Sequence, residues 1–388
     1  MNLLRRHPIA LALVLVLVAT AVRPLPSVVD AVTGSAPGGV ELHRPVLYVL
    51  FAPLSTTLDA LTFFSLARAQ WAIAVWALLL AAWGALRPGA MRRRVGRAVL
   101  GPVALIALAG AAVLLPRPVP RLVASDTAAT ILDYHAHTMA SHDGRSGWSP
   151  ARLARWYARQ GFEAAYVTDH NTVFEGSRSH DIPLLPGVEW SVHRQHVIAL
   201  GPVETVVRDS FGGSTPRMLR LFAEIERQGG WSVVSLPEYW RNHRDDLDAF
   251  IIAGAKGFEI VNCSPKGLAF SSAARRQVLG LAARADLLVV GASDNHGWGQ
   301  VTCVWNVSFP GAQGFRGNRV FARPLALVQG DWLGWTAPVT QPWFMFRGLS
   351  WSERASWLTW VLIILLYRLM PRRQGQAAGL GILARSLG

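Results

Sequence analysis

The sequence predicts an α/β domain, with a barrel as the favoured form, between hydrophobic segments that could enter a lipid bilayer. From residue 128 to about residue 310, short apolar runs alternate with amphipathic stretches. The apolar runs are TILDY, EAAYVT, PLLPGVEW, HVIALG, WSVVS, GFEIVN and LLVVGAS. Their shortness and their content of Val, Ile and Leu are typical of buried parallel strands. Strands that alternate with helices in this way indicate an α/β fold.

Two of the amphipathic stretches have recognisable helix ends. In SPARLARWYARQG we expect Ser149 to cap the helix, Pro150 to take its first position and Gly161 to follow its end. The stretch STPRMLRLFAEIERQGG repeats the pattern, with Thr215 as the cap and Gly229 after the end. Both stretches therefore predict helices that connect strands.

Composition narrows the class of protein. The chain has 388 residues, of which 51% are hydrophobic, a mean hydropathy of +0.27 and a formal net charge of +14. Such a charge could indicate a nucleic-acid partner. Many of the arginines stand beside apolar runs, however, which is their expected placement at a membrane, so we expect no nucleic acid. The cysteines Cys263 and Cys303 form no CxxC motif, which argues against a cysteine zinc site and leaves either buried thiols or one disulfide.

Hydrophobic segments near residues 8–22, 71–86, 98–115 and 355–370 are predicted to span a membrane. The first is short, since about 20 apolar residues are needed to cross, and it could instead be a cleaved signal. The loop RPGAMRRRVGR carries five arginines, and so basic a loop should stay in the cytoplasm. We therefore expect a multi-pass protein of the cell (inner) membrane, with the α/β domain on the extracytoplasmic side.

The apolar segment 45–67 is an exception because it contains Asp59. A lone aspartate in the middle of a bilayer costs roughly 2.5–3.5 kcal/mol, and a span here would place the arginine loop outside. We therefore expect this segment to be interfacial or partly inserted. The expected division is an N-terminal membrane region 1–127, a hydrolase domain 128–315, an extracytoplasmic connector 316–354, a transmembrane helix 355–370 and a cytoplasmic tail 371–388.

Side chains of the kinds that bind metals follow the predicted strands. They are His135 and His137 after TILDY, Asp169 and His170 after EAAYVT, Asp294 and His296 after LLVVGAS, and Glu189 and His196 at or near two further strands. The carboxyl ends of barrel strands form one rim, so these residues should converge. Taken singly, each pattern could be ordinary: surface histidines, a hydrogen-bonded turn or a helix cap. Together, imidazoles and several carboxylates suit a multinuclear zinc, manganese or iron site.

The motifs DYHAHTMASHDG, VTDHNTVFEG, LPGVEW, HVIALG and GASDNHG resemble, in this order, the motifs of the PHP (polymerase and histidinol phosphatase) superfamily. The resemblance covers roughly residues 128 to 310, about half of the chain. It implies a distorted seven-stranded (β/α) barrel that carries two or three divalent metals and hydrolyses phosphate esters.

The resemblance also implies metal ligands in three groups. They are His135, His137 and Asp294; Glu189, as a bridge, with His196; and Asp143, His170 and His296. The sequence departs from the pattern in SLPEYW, where Leu236 stands in place of a histidine. Because leucine has no lone pair to offer, we expect two well-occupied metals. The middle position is then empty, weakly filled, or completed by Glu238 or His243.

The sequence thus predicts a membrane-anchored metal-dependent hydrolase, a phosphoesterase in which Asp294 orients or deprotonates the attacking water. The alternative is a catalytically impaired sensor or scaffold that binds metal or a ligand. A third possibility keeps the metals but cleaves an amide or a lipid-linked ester. Several residues near the motifs have open roles as supports, phosphate contacts or surface groups: Glu259, Asn262, Arg145, Arg178, Arg194, His142, His180, His193 and His243.

Overall fold

The computed structural model describes residues 7–178, 181–309 and 317–369. The first elements are α1 (Pro8–Ala21), β1 (Val29–Asp30), β2 (Val40–His43), α2 (Val46–Leu50), α3 (Ala52–Thr62), α4 (Leu66–Leu86), α5 (Met91–Leu114) and β3 (Arg121–Ala124). Next come β4 (Thr130–Asp133), α6 (Pro150–Arg159), β5 (Ala164–Tyr166), β6 (Leu184–Leu185), β7 (Gly187–Val192), β8 (Gln195–Leu200), α7 (Thr215–Arg227) and β9 (Trp231–Val234). The remaining elements are α8 (Leu236–His243), α9 (Leu247–Ile252), β10 (Gly257–Asn262), α10 (Ser272–Arg284), β11 (Leu288–Ala292), β12 (Val304–Ser308), β13 (Asn318–Ala322), α11 (Pro324–Val328), α12 (Ala337–Arg347) and α13 (Trp351–Leu369).

Most strands belong to two sheets, and the architecture is mixed α/β. One sheet has six strands in the order β1-β13-β12-β4-β5-β6, and the other has five in the order β11-β10-β9-β8-β7. Every apolar run that the sequence predicts as a strand contains at least one, so this prediction is confirmed. The main apolar core packs helices onto the five-stranded sheet through fully buried side chains such as Phe222, Phe250 and Phe258.

The expectation of parallel strands holds only in part. β4 and β5 are parallel, as are β9, β10 and β11, but β7, β8 and β9 are antiparallel neighbours. For β7 and β8 the reason is local, since only His193 and Arg194 connect them, both with positive φ (45° and 59°). Two such residues make a tight hairpin turn, which joins antiparallel strands.

The two sheets meet along one rim. Two isolated parallel bridges connect them, one between Ala136 and Asn295 and the other between His170 and Glu189. The described strands therefore form two sheets that these isolated bridges link at the rim. The six-stranded sheet also takes in β1 and β13, which lie outside the range 128–315.

Two helices, α4 and α5, are long and apolar enough to cross a membrane. They contain residues 71–86 and most of 98–115. The helix α1 has 14 residues, fewer than the roughly 20 that a crossing needs. The helix α13 covers residues 355–369 of the predicted last span, and the predicted tail 371–388 lies outside the described residues. The spans near 8–22 and 355–370 stay predictions.

Asp59 is not a lone charge, so that premise of the sequence analysis is wrong. Its carboxylate accepts a hydrogen bond from Tyr48 (2.8 Å), pairs with Arg117 at 3.0 Å and lies 3.5 Å from Arg323. The segment 45–67 is divided into α2 and α3, and the 11 residues of α3 are too few to cross a bilayer. Buried charges are tolerated when they are paired, so Asp59 fits a segment that packs against protein.

Cys263 and Cys303 form a disulfide. It connects the end of β10 to the residue that precedes β12. The sequence leaves open whether these cysteines are buried thiols or a disulfide, and the structure has the disulfide. It links the two sheets covalently.

The glycines after α6 and α7 adopt the conformation expected of helix ends. Gly161 and Gly229 have positive φ values of 86° and 79°. A Cβ at Gly161 would lie 2.3 Å from the carbonyl oxygen of Leu122, whereas nothing lies within 4 Å of a Cβ at Gly229. The start of α7 differs from the prediction by one residue, because Ser214 is the cap and Thr215 is already helical.

We expect Gly161→Ala to destabilise the protein more than Gly229→Ala does. A left-handed backbone costs an L side chain roughly 1–2 kcal/mol at either position, but only at Gly161 must backbone atoms also move. Thermal unfolding of the full-length variants in detergent, followed by circular dichroism, should therefore give the lower melting temperature for Gly161→Ala. Equal melting temperatures would show that the approach to Leu122 has no energetic consequence.

Candidate metal centre

The residues that the sequence marks as ligands come together at the rim where the two sheets meet. His135, His137 and Asp143 follow β4; His170 follows β5; Glu189 and His196 lie on β7 and β8; and Asp294 and His296 follow β11. A buried carboxylate fixes the loop after β4. Asp169 accepts hydrogen bonds from the backbone N–H of Thr138 (2.6 Å), the Thr138 hydroxyl (2.7 Å) and the Ser141 hydroxyl (3.0 Å). The alternative of a helix cap therefore does not apply to Asp169, which supports the loop after β4 instead.

The first group consists of His135, His137 and Asp294, all buried. The Nε2 atoms of the two histidines are 2.9 Å apart. Oδ1 of Asp294 lies 3.1 Å from Nε2 of His137 and 3.5 Å from Nε2 of His135. Alternation along an extended chain points both imidazoles of the HxH pair to the same side, and the positive φ of Asp294 (46°) belongs to a backbone region in which Asp is enriched.

Glu189 lies at the centre of a second group. Its Oε1 is 2.6 Å from Nδ1 of His196, and its Oε2 is 2.8 Å from Nδ1 of His170. These three side chains offer ligand atoms within 4.8 Å of one another. His170 therefore lies where it could serve as a third donor at the middle position, an arrangement that the sequence analysis does not foresee.

The residues named as replacements for the missing ligand at position 236 are engaged elsewhere. Leu236 itself is fully buried in the main apolar core. Nδ1 of His243 is within hydrogen-bond distance of the Asp246 carboxylate (2.8 Å), and its Nε2 is within hydrogen-bond distance of the carbonyl oxygen of His193 (3.1 Å). Glu238 is hydrogen-bonded by the Ser264 hydroxyl. His243 therefore does not complete the group.

Asp143 and His296 form the open side of the centre. Oδ1 of Asp143 is 3.2 Å from Nε2 of His296, and its Oδ2 is 3.6 Å from Nε2 of His170. The Asp143 side chain is 48% exposed, whereas the side chains of the first group are buried. His170 thus presents one ring nitrogen to Glu189 and the other to Asp143, so one imidazole is shared between the second and third predicted groups.

The inner atoms of the centre lack ordinary hydrogen bonds. Within the described part of the chain, both carboxylate oxygens of Glu189, Oδ1 of Asp294 and Nε2 of His296 are buried without a partner at hydrogen-bond geometry. Buried polar atoms are nearly always satisfied in native proteins. Here the unsatisfied atoms are carboxylate oxygens and a ring nitrogen that face one another. All are atoms that bind divalent metals, so a metal among them would satisfy them.

Electrostatics give the imidazoles different protonation states. Burial lowers the pKa of His135, but Glu189 and Asp294 outweigh it and raise that pKa well above its usual value. Burial and then the neighbouring His296 lower the pKa of His137 to about 3. For His296, acidic neighbours outweigh burial and raise the pKa to about 9. Near pH 7 the metal-free centre thus holds protons on some imidazoles, which metal binding would release.

A further layer of polar side chains orients the ligands. Glu259 is fully buried, its Oε1 lies 2.6 Å from Nδ1 of His135, and its Oε2 accepts a hydrogen bond from Asn262 (3.1 Å). Asn262 also donates to Oδ2 of Asp294 at 3.1 Å. The sequence leaves the roles of Glu259 and Asn262 open, and these contacts support the orientation of candidate ligands. Tyr239, whose hydroxyl is 3.0 Å from Nε2 of His196, is missed by the sequence analysis, because no motif marks it.

The other residues with open roles lie around the centre. His142 is exposed beside Asp143, and His193 and Arg194 form the β7–β8 turn. Arg178 is exposed, and His180 lies outside the described residues. Arg145 donates its backbone N–H to the carbonyl oxygen of His296 (2.9 Å), so it lies next to the centre.

Comparison with known proteins adds little. No protein-family model and no curated protein matches the chain. One similar solved structure is a protein from Bifidobacterium adolescentis, provisionally described as a metal-dependent phosphoesterase, with 19% identity, a TM-score of 0.34 and coverage of 43% of this chain and 88% of that one. Another is PsfC from Pseudomonas syringae, with 18% identity, a TM-score of 0.36 and coverage of 56% and 98%. Both likenesses are too weak to define the fold.

We expect Glu259→Gln to weaken metal binding by about 10–100-fold, which is the usual effect of losing a carboxylate that orients a metal-binding histidine. Zinc affinity, measured by competition with a chelating dye, checks this. Glu226→Gln is the matched control, because Glu226 is an exposed carboxylate paired with Lys256. An unchanged affinity in Glu259→Gln would mean that the carboxylate serves only packing.

Proposed function

We propose that the chain is a metal-dependent hydrolase and, more narrowly, a PHP-type phosphoesterase. The observation that carries the proposal is the buried carboxylate of Glu189, whose oxygens lie within 3.4 Å of ring nitrogens from His135, His137, His170 and His196. A carboxylate surrounded by imidazoles suits zinc, manganese or iron. The order of the motifs, which resembles that of the PHP superfamily, supports the narrower assignment.

The residues divide the work between holding metals and handling water. His135, His137 and Asp294 would hold one metal; His170, Glu189 and His196 a second; and Asp143 and His296 a weaker third. When bound, divalent metals lower the pKa of water and neutralise charge on a phosphoryl group. Asp294 would orient or deprotonate the attacking water, while Asn262 holds its other oxygen. The partly exposed Asp143 marks the side from which a phosphate ester would reach the centre.

We also propose that the two sheets act as one distorted seven-stranded barrel. If the two isolated bridges are counted, the strand pairings form a closed ring. The ring runs from β4 through β5, β7, β8, β9, β10 and β11 and returns to β4. The bridging residues Ala136, His170, Glu189 and Asn295 are ligands or neighbours of ligands. Closure of the ring and assembly of the centre would therefore be the same event.

A second candidate is a sensor or scaffold that binds metal without catalysis. Leu236, buried where the PHP pattern has a ligand, favours it. The position of His170 beside Glu189 weighs against it, because the middle group keeps three donors.

Substitution of either of two ligands in the first group should abolish metal-dependent phosphatase activity. We expect His135→Ala and Asp294→Asn to lower the rate of p-nitrophenyl phosphate hydrolysis by at least about 10²-fold, since each removes a ligand or a base. Asparagine tolerates the positive φ at position 294, so the backbone should be preserved. The exposed His43 provides a control, His43→Ala, with unchanged activity. Activity that persists in both variants after treatment with a chelator would contradict the proposal.

For localisation, we propose a multi-pass protein of the cell (inner) membrane with its hydrolase domain outside the cytoplasm. The most hydrophobic windows of α4 and α5 are only 11% and 6% buried, so their apolar side chains are available to lipid. The disulfide between Cys263 and Cys303 suits an oxidising compartment. The arginine-rich loop 87–97 suits the cytoplasmic side.

Reporter fusions test this topology. Alkaline phosphatase, which folds only outside the cytoplasm, should be active when fused after Arg121 and inactive when fused within the loop 87–97. The reverse pattern would contradict the proposed orientation.

A further inference from the structure

A basic groove lies beside the candidate metal centre. It has a volume of about 730 Å³, and its walls include Arg145, Arg152, Arg155 and Arg159. On α6, residues 152, 155 and 159 follow the spacing that places side chains on one face of a helix. These three arginines are exposed, whereas the opposite face of α6, with Leu153 and Trp156, is buried.

The positive charge in this groove is not neutralised within the described residues. No ion pair joins any of the four arginines to a described carboxylate, and Asp181 is the one acidic side chain among the described residues of the walls. Partial burial and then the neighbouring Arg155 lower the pKa of Arg159. Four guanidinium groups beside a single carboxylate suit an anion, and their planar donors match phosphate oxygens.

The wall of the groove also contains an unsatisfied donor. Trp148 lines the groove and is only 6% exposed, and its indole Nε1 has no hydrogen-bond partner in the described part of the chain. A buried N–H group without a partner costs about 1–3 kcal/mol.

The groove lies between a residue that contacts the candidate metal centre and the end of a membrane-capable helix. Arg145 lies two residues after Asp143, and its backbone N–H donates to the carbonyl oxygen of His296 (2.9 Å). On the other side, Leu114, the last residue of α5, lines the groove. Gln300 fixes this contact by donating a hydrogen bond to the carbonyl oxygen of Val113 at 2.9 Å. The end of a spanning helix lies at the level of the lipid headgroups.

We propose that this groove binds the phosphorylated headgroup of an anionic membrane lipid, and that this lipid is the substrate of the metal centre. The binding part stands on the groove alone, while the reaction rests on the proposed function. In the reaction, the oxygen of water bonds to phosphorus, the bond from phosphorus to the lipid oxygen breaks, and that oxygen takes up a proton. The products are a lipid alcohol, which stays in the membrane, and inorganic phosphate.

Binding is tested on the full-length protein in dodecyl maltoside micelles, with Asp294→Asn in all samples to prevent turnover. The probes are phosphatidic acid, phosphatidylcholine and glycerol 3-phosphate, which has the same phosphate group without acyl chains. The groove variant is Arg152→Gln with Arg155→Gln. The matched control is Arg276→Gln with Arg284→Gln. Both residues are exposed on α10, and their substitution removes the same charge as the groove variant does.

We expect the groove variant to weaken binding of phosphatidic acid at least tenfold, and the matched control less than twofold. Glycerol 3-phosphate should bind at least tenfold more weakly than phosphatidic acid. Equal binding by the groove variant and the control would overturn the proposal. Equal binding of glycerol 3-phosphate and phosphatidic acid would also overturn it, in favour of a soluble ligand, as would equal binding of phosphatidylcholine.

Hydrolysis by the metal-loaded protein with Asp294 intact separates this inference from the proposed function. The groove variant should raise the KM for phosphatidic acid at least tenfold, and the matched control should change it less than twofold. If p-nitrophenyl phosphate is hydrolysed and phosphatidic acid is not, the substrate assignment is wrong and the proposed function stands. If neither is hydrolysed although phosphatidic acid binds through the arginines, the proposed function and the substrate assignment are wrong, and only the lipid site remains.

Discussion

The structure depends above all on the buried carboxylate of Glu189. One oxygen lies 2.6 Å from His196 and the other 2.8 Å from His170, and His135 and His137 are each 3.4 Å from the second oxygen. Burial alone would favour the neutral acid, yet the surrounding histidines hold the pKa of Glu189 well below its usual value. An ionised carboxylate in a closed interior needs cations around it. Protonated imidazoles or divalent metals can both serve, and metals also satisfy the unpartnered oxygens.

The same residues that surround Glu189 join the two sheets. The bridge between His170 and Glu189 and the bridge between Ala136 and Asn295 are the connections at the rim, and ligands lie on or beside both. Side chains behind this rim, such as Glu259 and Asn262, fix the imidazole of His135 and the carboxylate of Asp294. The fold therefore places its candidate ligands by backbone pairing and then orients them by buried hydrogen bonds.

Much of this arrangement can be read from local sequence. The spacing of His135 and His137, and of Asp294 and His296, predicts side chains at strand ends, and the apolar runs locate the strands. What the sequence does not reveal depends on long-range geometry. The pairing of β1 with β13 joins residues almost 300 positions apart, and the second ring nitrogen of His170 faces Glu189 only because β5 and β7 meet at the rim. The contact of Glu259 with His135 has the same origin, since 124 residues separate them.

We propose above that Glu189 and its histidines hold divalent metals. The most direct measurement is the metal content of the full-length protein, purified in detergent and dialysed, determined by mass spectrometry for wild type, Glu189→Gln and the control Glu226→Gln. We expect at least two tightly held zinc, manganese or iron ions in wild type and in the control, and the loss of at least one in Glu189→Gln. A wild-type protein without such ions after reconstitution, or a Glu189→Gln variant with full occupancy, would contradict it.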